Sequence, residues 1–167
     1  MGIIDKLKDI SNTVAEFASS LENRKKSGKT FREEYFYATG TVYYNENIKK
    51  LLKLNSEYKN SARALVKSGH VNQNIYKYQC LDTDAKLIPD PKNEHDKNAV
   101  QVCINGKLVG FIKREETLRV KEILGNAYVE YINAFVSGGE NKIVFPNKDT
   151  YKNDGNFKIR VKIGYYI

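Results

Sequence analysis

Apolar residues near the start of the chain recur at alternating steps of four and three. This spacing places them along one face of a helix, and Gly28, preceded by basic residues, predicts where that helix ends. We therefore expect residues 1–30 to form an N-terminal amphipathic helix and a linker. The apolar face either packs on the domain's own core, which we favour, or supports self-association of two chains. It consists of Ile3, Leu7, Ile10, Val14, Phe17 and Leu21.

After the linker, aromatic and β-branched residues become frequent, and this composition favours β-strands. The first strand is predicted over residues 35–44. Two short helices, around 48–52 and 62–66, then form a helical insert at about 45–74. Another strand is predicted over residues 85–88.

The clearest short-range pattern is a β-hairpin. Two runs of β-forming residues, 99–104 and 107–112, are joined by the dipeptide Asn105-Gly106. This dipeptide is preferred in the type I′ turn, which joins two antiparallel strands directly.

The chain after the hairpin predicts one helix and three more strands. The helix covers residues 115–124, and Gly125 is expected to cap it. The strands cover 128–136, 143–145 and 156–166, with glycine-containing turns between them. The helix residues expected to face the core are Leu118, Val120, Ile123 and Leu124, and the turns contain Gly138-Gly139 and Asp154-Gly155.

These elements predict an α+β fold that is mainly β, with a small antiparallel sheet in a domain over residues 31–167 and helices attached. An open sheet of short strands would leave its edges exposed to other chains. We therefore expect the sheet to close into a small β-barrel or to curl strongly.

The last predicted strand separates two kinds of side chain. Alternation along it places apolar residues on one side, starting with Phe157, and basic residues on the other. The basic face either is simply solvated or follows the phosphates of a polyanion. It carries Lys158, Arg160 and Lys162.

The composition is that of a soluble globular domain, since 41% of the 167 residues are hydrophobic and 29% are charged. We expect a cytoplasmic protein without a membrane role, because no apolar run approaches the ~18 residues of a membrane span and no signal peptide is present. Lys and Arg outnumber Asp and Glu by 28 to 20, and the net charge of +8 favours nucleic acid as a partner. An A/T-rich genome, indicated by frequent Asn, Ile and Tyr, would account for part of this basicity.

Few residues are suited to catalysis or metal binding. Cys80 and Cys103 form no CxxC pair, and the two histidines lie far apart in the chain, which argues against a zinc site. The acidic residues Asp82, Asp84 and Asp90 lack the clustered spacing of a two-metal nuclease site. We expect a protein that is not an enzyme and needs no cofactor or metal.

A polar loop over residues 90–100 carries the most distinctive sequence. Pro91 presets a turn, and Asn93, Asp96 and Asn98 are placed to bond nearby backbone amides, so the loop is expected to be rigid. Such a loop serves either as a turn alone or as part of a binding site.

The loop and the hairpin after it resemble the signature of the HIRAN domain family. Residues 90–100 follow its order of acidic residue, Pro, x, Asn, x, x, Asp, x, Asn, Ala and aliphatic residue. Residues 110–113 follow its Gly, aromatic, aliphatic and basic positions. The paired Tyr43 and Tyr44 look like the end of the family's opening strand, and the resemblance covers about residues 31–167.

The resemblance implies an OB-like β-barrel that binds the 3′ end of single-stranded DNA in repair or replication. Tyr43 takes the place of a base-stacking aromatic residue, Asp96 that of a carboxylate near the terminal hydroxyl, and Lys113 a basic position suited to phosphate. His95 replaces a tyrosine, and its ring can still stack on a base. The candidate nucleic-acid-binding residues are Tyr43, Tyr44, His95, Asp96, Lys113, Arg114, Lys158, Arg160 and Lys162.

Three functions fit these observations. The first is a module that binds single-stranded DNA or DNA ends beside a nuclease, a helicase or a recombination system. The second is a protein-interaction module, for example from a mobile element, that docks on a DNA-processing partner. The third is an enzyme, against which the scattered carboxylates argue. We favour the first.

Overall fold

The computed structural model describes residues 15–16, 18–23 and 26–167. Residues 18–23 are helical, and Gly28 has a φ of +74°, as expected where the N-terminal helix ends. Leu21 is 41% exposed, and both packing of the apolar face on the core and self-association stay predictions. No helix among the described residues is long and apolar enough to cross a membrane. The rest of the predicted apolar face lies outside the described residues: Ile3, Leu7, Ile10, Val14 and Phe17.

An antiparallel sheet with short helices around it makes up the described part of the chain, which confirms the predicted α+β, mainly β fold. The strands are β1 (Phe31–Thr39), β2 (Ile75–Tyr76), β3 (Leu81–Asp84), β4 (Lys86–Pro89), β5 (Val100–Ile104), β6 (Lys107–Ile112), β7 (Tyr128–Val144) and β8 (Thr150–Tyr166). The α-helices are α1 (Asn45–Lys49), α2 (Ala62–Lys67) and α3 (Thr117–Asn126), and 3-10 turns occur at Thr41–Tyr44, Ser56–Lys59 and Arg114–Glu116.

The sheet curls round on itself. Its hydrogen-bonded order is β2-β7-β8-β1-β6-β5-β4, and β3 also pairs with β7. β3 and β4 are consecutive parts of one segment, separated by Ala85, whose N–H donates to Ile132 O at 2.9 Å. The first half of this segment pairs with β7 and the second half with β5, so one segment bridges two strands that lie toward opposite ends of the order. The sheet therefore has the strong curl that was expected, without one continuous ladder that closes it as a regular barrel.

The predicted hairpin between β5 and β6 is confirmed. Asn105 and Gly106 have φ angles of +48° and +74°. A type I′ turn needs positive φ at both central positions, and Asn and Gly adopt such angles at the least cost.

Two predictions about where elements end are wrong, and each concerns a glycine. The first strand ends at Thr39, since Gly40 takes a left-handed φ of +72° and directs the chain into a 3-10 turn. Gly125 lies inside α3 and does not cap it, and Leu118, expected in the core, is 68% exposed.

The end of the chain contains two strands of 17 residues, β7 and β8, where three shorter strands were predicted. Gly138-Gly139 forms an irregularity within β7, opposite Phe157 and its neighbours. A bulge of this kind bends a strand without ending it, which explains why the predicted turn is absent there.

The main core lies on one face of the sheet. It contains the alternate β8 residues from Phe157 to Ile163, together with Val120 and Ile123 of α3. A smaller cluster joins the helical insert to the far end of β7 and consists of Leu65, Ile75 and Val144. The opposite face of β7, β8 and β1 carries the exposed side chains that bear on function.

Candidate functional site

A groove of about 640 Å³ opens where β1 ends beside the polar loop. Gly40 turns the chain out of β1 and into the 3-10 turn that forms one side of the groove. The loop over residues 93–99 and the end of β6 complete it. We call it the end groove, and the side chains that give it its chemistry are Tyr43, Tyr44, Asn93, His95, Asp96 and Arg114.

The two adjacent tyrosines of the 3-10 turn have different environments. Tyr44 is partly buried, and its ring is tilted against that of Phe111 with 6.1 Å between the ring centres. Tyr43 is 85% exposed. Its ring is therefore available for stacking by a ligand, whereas Tyr44 forms part of the wall.

Hydrogen bonds within the polar loop hold it in place, as the sequence predicted for Asn93 and Asp96, whereas Asn98 Oδ1 accepts from Lys121 Nζ at 3.1 Å. Asn93 Oδ1 accepts from the backbone N–H groups of His95 and Asp96, at 3.0 and 3.1 Å. Asp96 Oδ1 accepts from the N–H of Asn98 at 2.8 Å. Asp90 Oδ2 accepts from the side-chain amide of Asn93 at 3.3 Å. This bonding presents His95 and Asp96 to the end groove.

Asp96 and Arg114 place opposite charges in the end groove. The distance from Asp96 Oδ2 to Arg114 Nε is 3.4 Å, and the Arg114 side chain is 82% exposed. Its guanidinium is thus largely available for a charge-assisted bond to phosphate. Within the described part of the chain, no three His, Cys, Asp or Glu side chains are grouped as metal ligands would be.

A second cleft, of about 370 Å³, lies on the outer face of the sheet. Lys113 lines it, and Lys113 Nζ is 5.3 Å from the centre of the Tyr37 ring. The next residue, Arg114, lines the end groove, so the two cavities adjoin at the end of β6. We call this cavity the face cleft, and its other exposed or partly buried side chains are Ala38, Phe135, Ser137, Lys158 and Arg160.

The predicted alternation along the last strand is confirmed. The apolar side chains between residues 157 and 163 are buried, while Lys158 and Arg160 are exposed. Lys162 is half-buried, and Lys162 Nζ lies 3.3 Å from Glu33 Oε1. Part of the charge on Lys162 is therefore already balanced by a carboxylate.

The candidate residues fall into two adjacent groups, and two further aromatic residues join them. Sequence reasoning missed Tyr37 and Phe135 in the face cleft. In a strand, Tyr35 and Tyr37 must share one face and Phe36 the other, which indicates that one of these faces is aromatic and exposed. Three consecutive aromatic residues do not reveal which of the two faces points outward. The end groove contains Tyr43, Tyr44, His95, Asp96 and Arg114, the face cleft contains Lys113, Lys158 and Arg160, and Lys162 lies outside both.

Comparison with known proteins gives one family and one structural neighbour. A family model described as HIRAN domain matches residues 32–162. The crystal structure of the HIRAN domain of human HLTF has a TM-score of 0.41 and 21% sequence identity, covering 84% of this chain and 81% of that chain. The sequence matches no protein of curated function.

Proposed function

The chain belongs to the HIRAN domain family of DNA-binding modules, and from that premise we propose that it binds single-stranded DNA and holds its 3′ end in the end groove. The module makes and breaks no covalent bond. The observation that supports this most is the presence in one groove of an exposed ring, a carboxylate and an exposed guanidinium. These belong to Tyr43, Asp96 and Arg114.

Each group in the end groove suits a different part of a terminal nucleotide. An unpaired base stacks on Tyr43, and the ring of His95 offers a second face. Arg114, together with Lys113 of the adjoining face cleft, suits the phosphate that precedes the terminal sugar. Asp96 accepts a hydrogen bond from a free 3′ hydroxyl and repels a 3′ phosphate, because like charges oppose each other.

The setting that we propose is DNA repair, replication or recombination in the cytoplasm. There the module would bring a DNA end to a nuclease or a helicase. Self-association through the apolar face of the N-terminal helix would place two end grooves in one assembly.

Single-stranded oligonucleotides that differ only at the 3′ terminus test this proposal. We expect micromolar or tighter affinity for a strand with a 3′ hydroxyl, and several-fold weaker binding of the same strand with a 3′ phosphate. A 5′ phosphate on the same strand is the matched control and should change the affinity little. Equal affinity for all three strands would contradict the end site. No binding at low salt would contradict DNA binding and favour the protein-interaction module.

A further inference from the structure

The outer face of β7, β8 and β1 carries basic and aromatic side chains in rows across the sheet. Each row follows from the pairing register, because directly paired residues project to the same side of a sheet. Aromatic residues flank the basic strand β8 on both sides. The rows are Lys158 with Ser137, Arg160 with Tyr37 and Phe135, and Lys162 with Tyr35 and Asn133.

Arg160 is the centre of this surface, which we call the aromatic–basic face. Its guanidinium carbon lies 5.2 Å from the ring centre of Tyr35 and 5.7 Å from that of Phe135. Tyr35 and Tyr37 are 49% and 47% exposed, respectively. The face therefore offers solvent both ring surface and positive charge.

Carboxylates lie at the borders of this face. Glu33 is paired with Lys162, and Asp82 of β3 stands beside Phe135 in the register. Among the described residues, Lys158 and Arg160 have no carboxylate within ion-pair distance. On this face, the positive charge that is free to bind an anion is thus concentrated on β8, between Tyr35 and Tyr37 of β1 on one side and Phe135 of β7 on the other.

We propose that the aromatic–basic face binds the internal part of a single strand, so that the protein holds several nucleotides in addition to the terminal one. The inference rests on the proposed function and extends it from an end to a tract. Phosphates follow Lys158 and Arg160 along β8, and bases stack on Tyr35, Tyr37 and Phe135.

The spacing of the rows supports this arrangement. Side chains on one face of an antiparallel strand recur about every 6.8 Å. This is roughly twice the 3.4 Å rise per nucleotide in a duplex strand, so each row suits one nucleotide of a stretched single strand. A duplex keeps its bases paired and covered, and it offers the aromatic residues nothing to stack on.

A closed circular single strand, which has no ends, separates this face from the end groove. The 167-residue chain should bind the circle and should bind a duplex of the same sequence more weakly. Loss of binding to the circle with intact binding to the linear strand would overturn the face and leave the proposed function standing. If the protein binds the circle but binds linear strands with a 3′ hydroxyl and a 3′ phosphate equally well, the end site alone would be overturned. Equal binding of the duplex would overturn stacking on the face.

Two double variants locate the binding surface. Tyr35→Ala with Arg160→Gln removes one ring and one charge from the face, and it should weaken binding of the circle about tenfold or more. Tyr151→Ala with Lys152→Gln removes the same groups from the other end of β8 and should change binding by less than about twofold. The single substitution Lys158→Gln changes an exposed residue and should also weaken binding of the circle. It provides a test that does not depend on how well the first variant folds. Wild-type binding by Lys158→Gln and by a folded Tyr35→Ala/Arg160→Gln variant would overturn the proposal.

Discussion

Tyr43 and Tyr44 are adjacent in the chain, yet only Tyr43 leaves its ring uncovered. The cause is the 3-10 turn that begins after Gly40. With three residues per turn, neighbouring side chains point about 120° apart. The ring of Tyr44 therefore packs on Phe111 while the ring of Tyr43 projects into solvent. Backbone geometry therefore separates two residues that hydrophobicity cannot distinguish.

Replacing Tyr43 by alanine should weaken binding of single-stranded DNA by about 1–3 kcal/mol, because one base loses its stacking surface. The melting temperature should hardly change, since the side chain is exposed. Fluorescence anisotropy and a thermal melt measure the two quantities, and Tyr151→Ala, also exposed, is the control. A large fall in melting temperature would show that Tyr43 is a structural residue.

Asp96→Asn tests the separate uses of the two carboxylate oxygens. Asparagine keeps an oxygen that can accept the Asn98 N–H bond, so the stability loss should be about 1 kcal/mol or less. Removal of the charge should raise the affinity for a 3′-phosphorylated strand several-fold relative to a 3′-hydroxyl strand. The oligonucleotide assay measures the relative affinity for the two strands, and a thermal melt of the same preparations measures the loss of stability.

Asp90→Asn is the matched control, because Asp90 is in the same loop but is bonded to Asn93 and Gln101. It should leave the end preference unchanged. If Asp96→Asn melts far lower and keeps the wild-type end preference, Asp96 acts only as a support of the loop.

Among the elements, β7 connects the two hydrophobic clusters of the described chain. One part of β7 contributes Ala134 and Val136 to the main core, and its far end contributes Val144 to the cluster with the insert. The irregularity at Gly138-Gly139 lies between these parts. A bulge there permits a bend, so one strand can serve two clusters.

Alanine substitutions at Gly125 and Gly139 should have opposite effects. A Cβ at Gly125, inside α3, would meet no atom within 4 Å, and alanine should raise the free energy of unfolding by about 0.5–1 kcal/mol. Gly139 has a φ of +83°, and a Cβ there would lie 2.5 Å from Phe157 Cε1. Alanine at Gly139 should therefore lower the free energy of unfolding by about 1–3 kcal/mol.

Urea denaturation of both variants provides the measurement. Destabilisation by Gly125→Ala would contradict the position of Gly125 within α3. It would favour the capping role that the sequence pattern indicated.

For the whole molecule, the net charge of +8 should appear in the salt dependence of binding. Four cations line the two adjoining cavities: Lys113, Arg114, Lys158 and Arg160. Each phosphate contact on a single strand contributes about −0.7 to the slope of log affinity against log salt, so four contacts give a slope of roughly −3. Lys113→Gln should reduce the magnitude of that slope by about 0.7, whereas Tyr43→Ala should leave it unchanged. A slope near zero would mean that the basic residues do not contact phosphates.

The sequence by itself determined the features that depend on neighbours in the chain. Asn105-Gly106 specifies its turn through the φ angles that these two residues tolerate. Asn93 and Asp96 accept hydrogen bonds from amides two or three residues away, whatever surrounds the loop. The alternation along β8 likewise follows from the two-residue period of a strand.

Only the tertiary structure decided which distant residues meet. Tyr37 was as suitable for the core as Phe36 until the pairing of β1 with β8 directed Phe36 inward. The change of pairing partner from β7 to β5 at Ala85 depends on ladders formed with strands further along the chain. Such pairings are selected by the packing of the whole core, and local patterns contain no information about which strands will be neighbours.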